Sequence, residues 1–214
     1  MKSKILSILN IDGKFGLFFI LFGILTQLFT FLSTNDTILS LISGIAGIIS
    51  VVLCSQRKIS FYFWSFLQIA TFVVICFQEQ LYGKIFENFF YVITMIYGLF
   101  IWNKNIDFGV VKTRILDCIQ WRCIIIITAV GTLTLYISLA LLNSTQSLMD
   151  SVTTIFAIVA QILMVLRFKE SWYFWLIADV LCFGLFVLVE NYCMAIQYLF
   201  WIVNCIYGLY KWEN

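Results

Sequence analysis

Two short stretches of this chain occur twice. Lys58 to Trp64 is KISFYFW and Lys169 to Trp175 is KESWYFW, while Ile96 to Trp102 is IYGLFIW and Ile206 to Trp212 is IYGLYKW. Five of seven positions agree in each pair, at offsets of 111 and 110 residues respectively. Shared aromatic richness does not produce two matches in the same order at nearly the same spacing, so the chain holds two copies of one unit, about a hundred residues apart. Whatever that unit folds into must be able to occur twice.

Composition decides the solvent. With 63% hydrophobic residues, 11% charged residues and a mean hydropathy of +1.02, the chain lacks the polar surface that a soluble globule presents to water. Eight segments are long enough to cross a hydrocarbon core of about 30 Å at about 1.5 Å per residue. They run from Phe15 to Leu32, Thr37 to Cys54, Phe61 to Phe77, Leu81 to Trp102, Cys123 to Leu142, Leu148 to Leu166, Trp172 to Val189 and Cys193 to Trp212. Most are separated by only a few residues, which makes sequential helices antiparallel neighbours. No short apolar segment with a small-residue cleavage site precedes a polar domain, so the first segment is expected to be retained. The expected fold is an all-α integral membrane protein with eight transmembrane helices.

Lys and Arg in short loops stay on the cytoplasmic side. With both termini cytoplasmic, Lys2, Lys4, Lys14, Arg57, Lys58, Lys104, Lys112, Arg114, Arg122, Arg167, Lys169 and Lys211 all fall inside, and only Lys84 does not. The opposite loops hold Asp36, Glu79, Asp150 and Glu190. The expected location is a cytoplasmic membrane, crossed several times, with both termini on the cytoplasmic side. A net charge of +2 spread over inner loops forms no continuous basic stripe, so no nucleic-acid partner is expected. The seven cysteines show no CxxC pair or other metal-ligand spacing and are read as reduced packing residues; neither metal nor cofactor is expected.

The segments divide as 1+3+1+3. Residues 1–36 hold an N-terminal tail and an extra helix, 37–102 a first three-helix repeat, 103–147 a cytoplasmic connection and linker helix, and 148–214 a second three-helix repeat. Four crossings separate equivalent helices, an even number, so the repeats are expected to be parallel, as in SWEET-type carriers. Two such bundles facing each other would leave a solute pathway marked by polar side chains. On the seventh segment Trp172, Trp175 and Asp179 sit at i, i+3 and i+7, one helical face. Pairing the repeats at the 111-residue offset puts Phe61, Trp64 and Gln68 at the equivalent positions of the third. The fourth and eighth segments carry Glu87, Tyr91 and Thr94, and Gln197, Trp201 and Asn204, each at i, i+4 and i+7. A charge near the middle of a membrane helix costs about 2.5–3.5 kcal/mol on insertion scales, so Asp179 is expected to face away from lipid.

Several of these residues have structural readings too. Trp102 and Trp212 lie at helix ends and are read as interfacial anchors. Gln27, Gln161 and Asn88 suit hydrogen bonds between helices, and Gly44, Gly47, Gly98 and Gly208 suit close helix packing. Lys84 has two readings, snorkelling or pairing with Glu87 or Glu79.

The motif Trp172-x-x-Trp175-x-x-x-Asp179, the three-helix repeats and the closing GLxxW segments at Gly98 and Gly208 resemble the PnuC family of bacterial vitamin transporters, whose motif is WxxWxxxN/D. The resemblance covers Thr37 to Trp212. It implies a SWEET-like architecture and transport of nicotinamide riboside by facilitated diffusion, the substrate being trapped by a cytoplasmic kinase. Other branches of the family imply thiamine, riboflavin or nucleosides as the alternative. Carried over, Trp172, Trp175 and Asp179 would form the binding motif, with Trp64 and Gln68 on the opposite wall; Glu87, Tyr91, Gln197, Trp201 and Asn204 complete the candidate set. The acid at Asp179 departs from the Asn of many nicotinamide riboside carriers. The absence of proline separates the chain from SWEET and PQ-loop sugar carriers.

The partners to be expected are a small, cationic vitamin or nucleoside and the lipid bilayer, with a homo-oligomer as a further expectation. An enzyme is not expected: the chain has no histidine and no GxSxG, HExxH or Gly-rich phosphate loop, and Asp179 with Glu87 are the only candidate carboxylates for an intramembrane hydrolase. A vitamin sensor is the third class, separable from a carrier by solute flux.

Overall fold

The computed structural model describes residues 13–34, 37–78, 82–141, 147–188 and 192–213. Among them eight helices follow one another: α1 Gly13–Thr34, α2 Ile38–Ser55, α3 Phe61–Gln78, α4 Tyr82–Asn103, α5 Cys118–Leu141, α6 Ser147–Val165, α7 Ser171–Leu188 and α8 Tyr192–Glu213. All eight coincide with the apolar segments. Two-residue strands β1 Ile106–Asp107 and β2 Val110–Val111 form an antiparallel hairpin between α4 and α5. Its turn, Phe108 and Gly109, has φ of 45° and 80°, a conformation that suits glycine and that the short hairpin requires.

Four helices meet length and apolarity requirements for a membrane span outright: α2, α5, α6 and Lys14–Ser33 of α1. Their outward faces are apolar, as lipid contact demands. Phe18, Leu25 and Phe29 on α1 and Ile119 and Ile126 on α5 are all exposed. Helix α5 begins at Cys118, five residues before the apolarity of the sequence places it. The cause is a capping box: Asp117 Oδ1 accepts the Gln120 N–H at 2.7 Å and Gln120 Oε1 accepts the Asp117 N–H at 3.1 Å. Polar residues thus start a helix that hydropathy alone starts later.

The chain divides into two compact units, Met1–Lys112 and Thr113–Asn214. In the first, α1 packs on α2, α2 on α3 and α3 on α4; in the second, α5 packs on α6, α6 on α7 and α7 on α8. Each three-helix repeat therefore has one extra helix laid against its first member.

From the end of the α2 and α6 helices onward, the two units keep an offset of 110 residues. Helices α3 and α7 differ by 110 residues at both ends, as do α4 and α8. The turns agree as well. Helix α2 ends with the Arg57 N–H bonded to the Cys54 carbonyl and the Lys58 N–H to Leu53; α6 ends with Arg167 bonded to Met164 and Phe168 to Leu163. This is the Schellman pattern, and it puts Arg57 (φ 59°) and Arg167 (φ 68°) in the left-handed region where glycine is usual. A non-glycine residue there costs on the order of 1–2 kcal/mol. Each strained residue is held by a further backbone bond: the Arg57 carbonyl accepts the Val111 N–H at 3.0 Å and the Arg167 carbonyl accepts the Arg114 N–H at 2.7 Å. Burial, and then the neighbouring Arg114, hold the Arg167 guanidinium below its usual range.

This register corrects the pairing of α3 with α7 inferred from the duplicated KxSxYFW stretch. Trp172, Trp175 and Asp179 correspond to Tyr62, Ser65 and Ile69, not to Phe61, Trp64 and Gln68. Residue identity favours the 111 offset, but the turn fixes where each helix starts, and the aromatic run lies one residue later in α7. Exposure follows the same register: Phe63 and Tyr173 both point outward, while Ile69 and Asp179 are both buried.

Trp102 and Trp212 are also corrected. They are not interfacial anchors but are 0% and 2% exposed. Trp102 stands edge-on to Tyr62 at 5.5 Å and 89°, and Trp212 stands edge-on to Trp172 at 5.6 Å and 86°. The same T-shaped pair closes the α3–α4 and α7–α8 contacts, and each pair contributes about 0.5–1.5 kcal/mol beyond area burial. Trp102→Ala is expected to destabilise the protein by about 3–5 kcal/mol, seen as a lowered unfolding midpoint in detergent. An unchanged midpoint would return Trp102 to the role of a surface anchor.

Candidate functional site

The candidate residues that come together are on α7 and α8 of the second unit. Trp172 is 3% exposed and Asp179 is 5% exposed. Trp175 is half-buried and packs against the cluster of Leu116, Val159, Ala160, Leu163, Phe168 and Phe174. Asp179 therefore turns into the protein and not toward lipid, as the cost of a membrane charge requires.

Three residues of α8 hold this face of α7 in place. Gly208 leaves room for the Trp172 ring: a Cβ at Gly208 would lie 2.5–2.7 Å from three ring carbons. Trp212 meets the same ring edge-on. Cys205 donates its thiol hydrogen to Asp179 Oδ2 at 3.4 Å. Cys205, Gly208 and Trp212 are at i, i+3 and i+7, so one stripe of α8 serves one stripe of α7 with the same spacing, as antiparallel neighbours allow.

Two donors on α7 are left over. The indole N–H groups of Trp172 and Trp175 are buried without a hydrogen-bond partner among the described residues. Buried polar groups are nearly always bonded, so two orphan donors on one helix face call for an acceptor that the described residues do not supply. At the start of the same helix Glu170 is 2% exposed; its Oε1 accepts the Leu116 N–H at 3.1 Å.

The remaining candidates are more dispersed. Gln197 and Trp201 are half-buried on α8, and Trp201 meets Tyr198 edge-on at 5.0 Å. Asn204, one residue before Cys205, is 2% exposed. In the first unit Trp64 is half-buried and stands edge-on to Phe63. The Gln68 side chain lies over Gly47 of α2, where a Cβ would come within 3.1 Å of its amide, and the Gln68 carbonyl accepts the Ser43 hydroxyl at 3.4 Å. Tyr91 is half-buried on α4 beside Phe90. The side chains of Glu87 and Lys84 lie outside the described residues.

Gly44 and Gly47 are close-packing positions, against Gln27 and Gln68, as is Gly208. The residue that sequence reasoning missed is Cys205, taken there as apolar packing. Its spacing from Gly208 and Trp212 was visible, but nothing local marks a thiol as the partner of a carboxyl on another helix. A groove of about 530 Å³ opens between α5, α6 and α7. Its walls are almost wholly apolar and include none of Trp172, Trp175 and Asp179, so it is separate from the candidate motif.

Residues 37–214 match the family described as nicotinamide mononucleotide transporter. The chain belongs to this family. Among its relatives, the nicotinamide riboside transporter PnuC of Haemophilus influenzae is 32% identical over 196 residues, covering 89% of this chain and 86% of that protein. PnuC of Neisseria mucosa is 28% identical over 202 residues, covering 88% and 76%. The crystal structure of the vitamin B3 transporter PnuC superposes with a TM-score of 0.79 at 26% identity, over 94% of this chain and 92% of that one. These relatives are transporters and not enzymes. This chain is a multi-pass membrane protein, and the family match begins at Thr37, the N-cap of α2, while the superposition on the solved structure covers more of the chain.

Gly208→Ala in this transporter is expected to push the Trp172 ring from its seat without unfolding the unit. Tryptophan fluorescence should shift and solute affinity fall about tenfold, the equivalent of about 1.4 kcal/mol. Wild-type affinity with an unshifted spectrum would show that the seat is not needed.

Proposed function

We propose that this transporter takes up nicotinamide riboside by facilitated diffusion. The observation that carries the reading is the pair of buried, unpartnered indole N–H groups on the helix face that also buries Asp179. The names of the relatives support the solute, and the chemistry of the face suits it. Nicotinamide riboside has a permanently positive ring, which Trp172 and Trp175 stack on with about 0.5–2 kcal/mol from each cation–π contact. Asp179, Gln197 and Asn204 of the second unit bond the carboxamide and the ribose hydroxyls. Trp201 is a further solute contact on this unit, and Trp64, Gln68, Glu87 and Tyr91 are the candidate contacts of the first unit.

The same face suits thiamine, whose ring is also positive, and the acid at Asp179 is the observation that favours a cation over a neutral vitamin. Both termini are cytoplasmic in this reading, because that orientation puts twelve of the thirteen basic residues inside. Transport is alternating access without ion coupling, since neither a histidine relay nor a sodium cage is legible in the sequence. Phosphorylation by a cytoplasmic kinase then traps the solute.

Binding titrations of purified Trp175→Ala against nicotinamide riboside, thiamine, riboflavin and uncharged nucleosides test the site. Affinity for the cationic vitamin is expected to fall at least tenfold, about 1.4 kcal/mol or more; unchanged affinity for every compound removes Trp175 from the site. In vesicles containing only this chain, nicotinamide riboside should equilibrate without accumulating. Accumulation driven by a proton or sodium gradient contradicts facilitated diffusion, and absence of flux despite binding would mark a sensor.

A further inference from the structure

The two units differ at one buried pair on the face that carries the motif. In the second unit the 110-residue register pairs Asp179 with Cys205, 5% and 3% exposed, with the thiol bonded to the carboxyl. In the first unit the same two positions hold Ile69 and Met95, 8% and 5% exposed. Apolar residues at both positions therefore suffice for packing α3 on α4 at this level. Replacing it by a carboxyl and a thiol adds nothing to packing and introduces a polar group that has to be satisfied at depth.

The neighbouring positions sharpen the contrast. One helical turn and more toward the helix start, Tyr62 and Trp172 both keep their edge-on tryptophan partners. The edge-on aromatic contact is common to both units, while at the level of Asp179 and Cys205 the polar pair is found in the second and apolar residues in the first. Cys205 is a buried cysteine that forms no disulfide. Among the described residues its thiol is the hydrogen-bond partner of Asp179, and it engages only Oδ2. A carboxyl bonded through one oxygen has its terminal torsion fixed, a torsion otherwise broad. The other oxygen is then presented in one direction.

We propose that Cys205 is a positioning residue for solute binding: its thiol fixes the Asp179 carboxyl so that Oδ1 is left to accept a hydrogen-bond donor of the solute. The proposal rests on the assignment of Asp179 to the solute site made above. It assigns to Cys205 a role in affinity and solute selection, not in translocation. Solutes that offer a hydroxyl or amide N–H to Oδ1 are favoured over those that offer an acceptor there.

The test compares Cys205→Ala, Cys205→Val and Cys205→Ser with wild type in the purified, full-length protein. Binding of nicotinamide riboside is titrated, and uptake into vesicles gives KM and Vmax. A lost hydrogen bond to a buried carboxyl should raise Kd and KM about three- to tenfold in Cys205→Ala and Cys205→Val while Vmax stays within about twofold. Cys205→Ser keeps a donor and should remain near wild type. Met95→Val, the same position in the first unit, should leave KM unchanged. In an Asp179→Ala background the Cys205 substitutions should have no further effect, because the group they position is gone.

Three results overturn the proposal: wild-type KM in Cys205→Ala, no rescue by serine, or additive effects with Asp179→Ala. The underlying site assignment fails separately, if Asp179→Ala alone binds every vitamin as wild type does. Should Cys205→Ala and Cys205→Val fold poorly, alkylation of Cys205 in the wild-type protein, followed by peptide mass spectrometry, reads the same contact. Saturating nicotinamide riboside should slow Cys205 modification severalfold relative to Cys54, and equal rates at both would count against the proposal.

Discussion

Hydrocarbon offers no partner to a peptide group. Each N–H and C=O that crosses the bilayer has to be bonded within the chain, and an unpaired one costs several kcal/mol, which leaves helices as the form this sequence can take. That constraint reaches beyond the helices to the places where they stop. At the ends of α2 and α6 the chain satisfies its carbonyls with Schellman turns, accepts left-handed arginines to do so, and bonds the carbonyls of those arginines to Val111 and Arg114. The segment between α4 and α5 is thus part of the backbone bonding of each unit, not a slack tether. Its basic residues Lys112 and Arg114 lie at these bonds.

With backbone demands met, side chains decide how neighbouring helices meet. Water plays little part in this, so contact comes from shape: Gly44 beneath Gln27, Gly47 beneath Gln68, Gly208 beneath Trp172. The T-shaped pairs Tyr62–Trp102 and Trp172–Trp212 close the third and fourth helix of each repeat at matching places. Against this shared frame the second unit carries the Asp179–Cys205 pair where the first has Ile69 and Met95. Polarity within an otherwise apolar contact is where function in this family's fold is to be sought. The frame supplies rigidity, and the departures from it supply chemistry.

Much of this was legible in the chain itself. Hydropathy and length located all eight helices, because a membrane helix is a local property of some twenty residues. Helical spacing put Trp172, Trp175 and Asp179 on one face, and the energetic cost of a buried acid put that face inside. The start of α5 was missed by five residues because apolar patterning does not register a capping box formed by Asp117 and Gln120. The tryptophans at the ends of α4 and α8 were mistaken for anchors because position along a helix does not reveal what stands beside it.

The sequence by itself determined that the chain spans a membrane, that one unit occurs twice, and which helix face carries the aromatic and acidic motif. These follow from composition, repetition and a period of about 3.6 residues, all of them properties of short windows. Only the tertiary structure decided the register of the repeat and the partners of the motif. The reason is that a helix's starting residue is set by the hydrogen bonds of the turn before it, and a side chain's partner by the helix packed against it. Residue identity aligned Trp64 with Trp175; backbone geometry aligned Ser65 with it. A cysteine in an apolar stretch has no local mark of function, and Cys205 acquires one only where α8 brings its sulfur to the carboxyl of Asp179.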